Sequence, residues 1–346
     1  MLLLNSYHAQ FKWTAELTRG IEDVFKETLK PSAIHVEYMD SRRFSDDSIH
    51  RKMLVDILIY KCREISPEII IVSDDFALEF MLEFREAINP KTPIIFCGVN
   101  VAEKASLSSV KNVAGILEGM SVAENLDLIY QLQPNVKTIY MLGDQTDLGH
   151  KMVQHAKVAQ EKWSKQPNKS KVNIKVLDNL TLEELYEKSA NAKEEDAFLM
   201  LAIHKDREGK YFSYDEEFVK LTSASNAPIY GMWGGLLIGN GVLGGSMNDP
   251  YRHGFETGTL AKKVLEGVDI NSLGIRDKAT YTPYFDYQKL MEYGIDLDKL
   301  PKGSFIYNEP SSFYKENKEV AIASLVIFFI LVSAVILLIF NIWKRT

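Results

Sequence analysis

Short apolar runs alternate with longer stretches whose apolar residues recur at helical spacing. "MLLLNSY" precedes "KWTAELTRGIEDVFKETL", and "AIHVEYM" precedes "DDSIHRKMLVDILIYKCREI". "EIIIVSD" then precedes "DFALEFMLEFREAI", and "PIIFCGVN" precedes "VAEKASL". Nearly continuous apolar runs, each followed by an amphipathic stretch, predict buried parallel strands joined by crossover helices. A second series starts near Gly119, where "SVAENLDLIYQLQP" reads as a helix. "KTIYMLGD", "KVNIKVL", "DAFLMLAIH" and "APIYGMW" read as its strands, with helices between them. "NGVLGGSMNDPYRHGFETGTLAKKVLEG" adds a strand and a long helix that could pack on either series.

The pattern predicts an α/β protein of two doubly wound parallel-sheet lobes with a cleft between them. Residues 1–118 form the first lobe, 119–246 the second, and 247–318 a return helix and juxtamembrane strap. The strap reads as irregular from 271 on, apart from a short helix near "YQKLMEYG".

From Val320 to Trp343 the pattern changes to an unbroken uncharged apolar run. At about 1.5 Å per residue this helix is long enough for a hydrocarbon core of about 30 Å, so 319–343 is expected to be a transmembrane helix. Trp343 suits the interface, and Lys344 and Arg345 after it point to a cytoplasmic C-terminus and an extracytoplasmic ligand-binding domain at the cell membrane. "MLLLNSYH" is no signal peptide. Because an exported domain needs a signal or an earlier helix, the numbered chain is read as starting after one and as cut after the span.

Composition narrows the partners. A net charge of −7 argues against a nucleic-acid binder. Two cysteines, Cys62 and Cys97, make no disulfide framework and read as buried thiols. The histidines are scattered, and His150 and His155 lie too far apart for a metal pair on one helix face, so no metal or cofactor is expected. No dinucleotide fingerprint, P-loop or nucleophile elbow appears. Binding therefore fits better than catalysis, with Asp74, Asp75 and His204 as the only acid–base candidates.

Ligands meet open α/β sheets at the carboxyl ends of the strands. The first lobe presents Ser6, Tyr7 and His8 there, with Phe11 and Trp13 beside them to sandwich a flat ligand or to staple the next helix. Asp74 and Asp75 can cap the following helix or hold an amino group, and Asn100 ends "CGVN". The second lobe presents Asp144 and Thr146 near a helix N-terminus, a place for a carboxylate or phosphate oxygen. His204, Tyr230 and Trp233 follow, Trp233 beside two glycines and read as open to the cleft.

The order of elements, the opening "LLLNSYHAQFKWTAELTRGI", the "PIIFCGVN" strand and "PIYGMWGGLLIGNGVLGGSMNDPYRHGFETGTLAKKVLEG" resemble the type I periplasmic-binding-protein fold. The branch resembled most is that of ABC-transporter substrate-binding proteins and the extracytoplasmic sensor domains of bacterial histidine kinases and diguanylate cyclases. The resemblance implies a receptor that closes on a small molecule. Its cleft positions fall on Ser6–His8, Asp74–Asp75, Asn100, Glu118, Asp144–Thr146, His204 and Tyr230–Trp233. It implies a sensor signalling through the span to an output module beyond Thr346, with a substrate-binding protein of an ABC importer as the other reading. An amino acid or short peptide, or else a nucleoside or sugar, would suit the cleft. A homodimer is a further partner in this reading.

Overall fold

The computed structural model describes residues 1–44, 47–100, 104–276, 281–310 and 318–344. The chain divides into two units, Met1–Tyr307 and Asn308–Thr346. In the second, Lys318–Trp343 is one helix, of which Ile322–Trp343 is long and apolar enough to cross a membrane.

The first unit holds two sheets. Strands β1 (Leu2–Asn5), β2 (His35–Tyr38), β3 (Ile70–Ser73), β4 (Ile94–Val99) and β5 (Val113–Leu117) are all parallel, in the order β5-β4-β3-β1-β2. Strands β6 (Thr138–Leu142), β7 (Asn173–Leu177), β8 (Asp196–Met200), β9 (Ile229–Gly231) and β10 (Gly244–Met247) repeat that order as β10-β9-β8-β6-β7. β1, β3, β4 and β8 are buried throughout, which explains why they read as continuous apolar runs rather than alternating ones. In each sheet the direction of winding reverses at its first strand, which opens a crevice at that strand's carboxyl end. The two-lobed α/β architecture expected from the pattern is present.

The strap departs from its expected irregularity. β11 (Ile275–Arg276) extends the first sheet beside β5. β12 (Thr282–Asp286) then joins the second sheet antiparallel to β10, and β13 (Phe305–Tyr307) joins β12. These segments are too short to show a period, and backbone pairing at a sheet edge decides their conformation. The short helix expected nearby is Tyr287–Glu292.

The return helix Pro250–Leu265 packs on the first lobe, against Lys12–Phe25. The two backbones nearly touch: a Cβ on Gly254 would stand 2.1 Å from Leu17 O, and one on Gly20 2.1 Å from Tyr251 O. Because backbone cannot yield as a side chain can, Gly254→Ala should destabilise the fold by about 1–3 kcal/mol. Chemical denaturation measures this directly, and an unchanged midpoint would mean that the helices separate at no cost.

Two described crossings between the lobes are tied to each other. Ser121 Oγ donates to Ser246 O (2.6 Å), Asn125 Nδ2 donates to the same carbonyl (2.9 Å), and Asn248 Nδ2 donates to Gly119 O (3.2 Å). Cys62 and Cys97 are free and buried.

Candidate functional site

The loops after β1, β3, β4 and β5 of one lobe face those after β6, β8 and β9 of the other across a pocket. It is lined by Tyr7, Phe11, Trp13, Asp74, Asn100 and Glu118 from the first lobe. Leu148, Met152, Ala202, His204, Tyr214, Trp233 and Leu236 line it from the second. The free space is about 50 Å³, and a chamber of about 580 Å³ adjoins it, sharing Tyr7, Leu148 and His204. Two indoles meet between the lobes: Trp13 and Trp233 stand edge to face, centroids 5.9 Å apart at 88°. Both are held by their N–H groups. Trp13 Nε1 donates to Asp74 Oδ1 (3.1 Å), and Trp233 Nε1 donates to Leu201 O. Trp233, expected to be open, is only 5% exposed; its ring is a pocket wall.

The floor is acidic. Asp74 opens the helix Asp74–Glu83 in a left-handed conformation (φ 68°), which turns its carboxyl back over the strand end. Gly98 leaves room for it, since a Cβ there would lie 2.8 Å from Asp74 Oδ1. Burial raises the Asp74 pKa to about 8, with Asp75 adding to the rise against the hydrogen bonds from Ser73 and Trp13. Glu118, pushed well above the carboxylate range by burial and then by Asp74, accepts from Asn100 Nδ2 (2.9 Å). Its Oε1 is buried without a partner, as is Asn100 Oδ1. Asp75 accepts from the Asn100 backbone N–H (3.1 Å) and lines the adjoining chamber. Buried acceptors of this kind cost free energy unless something donates to them.

Other expected positions bond within the fold or stand away from the pocket, and His204 bonds within the fold while lining it. Ser6 Oγ donates to Ser73 O (2.6 Å) and accepts from Ala77 N (2.8 Å), which leaves it capping the Asp74 helix. His8 lies beside Phe11, ring centroids 6.0 Å apart, outside the residues that line the pocket. Tyr230 is fully buried within β9 behind it. The helix N-terminus at Asp147–Ser164, expected to attract an anion, is occupied by the chain's own Asp144. That carboxylate accepts from Thr146 N (3.0 Å), Thr146 Oγ1 (2.6 Å), His204 N and Lys205 N (3.2 Å). Burial raises its pKa, but the hydrogen bonds from His204 and Thr146 outweigh that and hold it at about 2. Thr146 caps the helix through Gly149 N (3.1 Å) and reaches the adjoining chamber. Burial lowers the His204 pKa against the pull of Asp144, whose carboxylate lies 3.3 Å from its Nδ1.

Phe11, expected to sandwich a flat ligand or to staple the next helix, lines the pocket. Tyr214 was not singled out as a ligand contact, and Arg42 was not singled out at all. Tyr214 sits in a polar stretch, "FSYDEEF", that reads as the start of a helix. Arg42 follows β2 at a strand end, the one positional signal that could have found it. Among the described residues no cluster of His, Cys, Asp and Glu could hold a metal ion.

Solved structures with this architecture are known. The ABC domain from Streptococcus pneumoniae in complex with L-Trp is 17% identical, at a TM-score of 0.64, covering 88% of this chain and 99% of that one. The fold is that of the type I periplasmic binding proteins. A ligand-free, open substrate-binding protein from Clostridium difficile superposes at 0.61 with 13% identity, covering 89% and 99% of the two chains. An ABC transporter solute-binding protein from Bacillus halodurans with bound myo-inositol superposes at 0.53 with 12% identity, covering 86% and 97%. No protein-family model matches the sequence, and no curated protein does.

Proposed function

We propose that the chain is a membrane-held extracytoplasmic receptor whose lobes close on a small molecule bearing an ammonium group beside a flat apolar body. One observation carries this reading. The carboxyls of Asp74 and Glu118 face a pocket walled by Trp13, Trp233, Tyr7, Phe11 and Tyr214, and among the described residues no cation pairs with either acid. A bound ammonium would donate to the vacant Glu118 Oε1 and lie against ring faces that attract cations. The S. pneumoniae domain was solved with L-Trp, a ligand of this make-up. Asn100 and His204 would contact the ligand from either side.

The sensor role is supported by chain order. β13 is the last strand of the second lobe's sheet, and the chain continues from Tyr307 toward the apolar helix, so movement of that lobe has a covalent route to a membrane span. A binding subunit of an ABC importer is the second reading, favoured by the names of the solved neighbours.

The test is a thermal-shift screen of the full chain in detergent against amino acids, aromatic amines, nucleosides and sugars, at pH 6 and pH 8. A ligand at 100 times its Kd should add about 2.7 kcal/mol. The sign of the pH effect follows from the raised carboxyls. A carboxyl whose folded pKa is about 8, against about 4 unfolded, stabilises the unliganded fold below pH 4 and loses that contribution as pH rises through 8. An ammonium needs the ionised form, so its affinity grows over the same window. Amines should therefore raise Tm more at pH 8 than at pH 6. Stabilisation by neutral sugars alone would contradict the proposal.

A further inference from the structure

The chamber that adjoins the acidic pocket is bordered by a cation in an unusual state. Arg42, in the short helix Ser41–Phe44 after β2, is 5% exposed. Its guanidinium lies over three rings: Phe11 at 4.4 Å, Tyr211 at 5.3 Å and Tyr214 at 5.4 Å from the centroids. Of its five N–H donors, one makes a long bond, Nη2 to Phe212 O at 3.3 Å, and Nε is buried without a partner. Among the described residues no carboxylate pairs with it. Other cations of the chamber are engaged: Arg51 with Glu83, Lys151 with Glu79, Arg207 with Glu184. A buried guanidinium without a counter-ion is costly, and this one borders the chamber with a planar fork suited to a carboxylate.

We propose that Arg42 is an anion subsite that takes the carboxylate of the ligand whose ammonium sits at Asp74 and Glu118. The idea deepens the receptor reading above and rests on it for the ligand's other end. Tyr7, Leu148 and His204 border both spaces, which join the two charged ends. A dipolar ligand would supply each end with the charge it lacks, where a simple amine leaves Arg42 unpaired. The bond to Phe212 O is the one hydrogen bond by which Arg42 touches the second lobe among the described residues.

The experiment compares L-tryptophan, tryptamine (no carboxylate) and indole-3-propionate (no amine) on the full chain, wild type against Arg42→Gln, with unliganded Tm recorded alongside. Charge-assisted hydrogen bonds are strong enough that L-tryptophan should lose about 30-fold in affinity while tryptamine changes by less than about threefold. Indole-3-propionate should lose its weaker binding altogether. The unliganded Tm should hold or rise, since an unpaired buried charge has been removed. Arg42→Lys keeps the charge without the planar fork; it should fall between the two, and it serves if the Gln variant misfolds. Equal losses for tryptophan and tryptamine, or a lowered unliganded Tm, would make Arg42 an interlobe latch and overturn the subsite. Failure of both carboxylate probes to bind the wild-type chain would overturn it too. If indole-3-propionate alone binds, and does so through Arg42, the subsite stands while the ammonium reading falls.

Discussion

Asp74→Asn should cost at least about 100-fold in affinity for an amine ligand and at the same time stabilise the unliganded chain at pH 8. The two effects have one cause. Asn keeps the shape: its carbonyl can accept from Trp13 Nε1 and its amide can donate to Ser73 Oγ, the two groups that hold the carboxyl now. What it removes is a buried charge with no cationic partner among the described residues, which the unliganded protein sustains at a cost. With ligand present the same change leaves a buried ammonium short of a counter-ion. Breaking one side of a buried pair costs about 3–5 kcal/mol, or about two to nearly four orders of magnitude. Glu118→Gln should act in the same direction, and the double variant should lose less than the sum because the two acids share one partner. Calorimetric titration with urea denaturation at pH 8 measures both effects. Unchanged affinity in Asp74→Asn would remove this residue from the site.

Trp233→Ala should act on the fold as strongly as Asp74→Asn acts on the ligand. Its ring is nearly buried, packs edge to face on Trp13 of the other lobe, and donates to Leu201 O. Truncating a buried aromatic of this size costs about 3–5 kcal/mol, part of it from the Leu201 carbonyl left without its donor. Ligand affinity should drop with it, since one pocket wall disappears. Trp233→Phe separates the two roles: it restores a ring at the pocket wall but not the hydrogen bond to Leu201 O, so affinity should recover further than Tm does. Equal recovery would mean that Trp233 is only a core residue.

The strand–helix alternation made both lobes legible because each buried parallel strand is a continuous apolar run. Strand ends also placed Asp74, Asn100, His204 and Trp233 around one space, since position in a parallel sheet dictates where a loop must emerge. What escaped was set by partners distant in sequence. Asp144 reads as the edge of an anion site, yet its carboxylate fills that site by folding onto His204 and Lys205, about sixty residues away. Arg42 in "SRRF" has no neighbour in sequence that marks it, and the rings of Phe11, Tyr211 and Tyr214 that it lies over come from distant segments. β11, β12 and β13 carry no period at all, because two to five residues at a sheet edge are specified by backbone pairing.

The most direct measurement is a calorimetric titration of the full chain, at pH 8, with tryptamine and with indole-3-propionate, each against the pocket that Trp13 and Trp233 line. If an acidic, aromatic cleft is the binding site, tryptamine saturates one site and indole-3-propionate binds at least about tenfold more weakly, a difference of about 1.4 kcal/mol. If indole-3-propionate binds as tightly, or tryptamine gives no binding heat at any temperature tried, the cleft does not select an ammonium and the account fails.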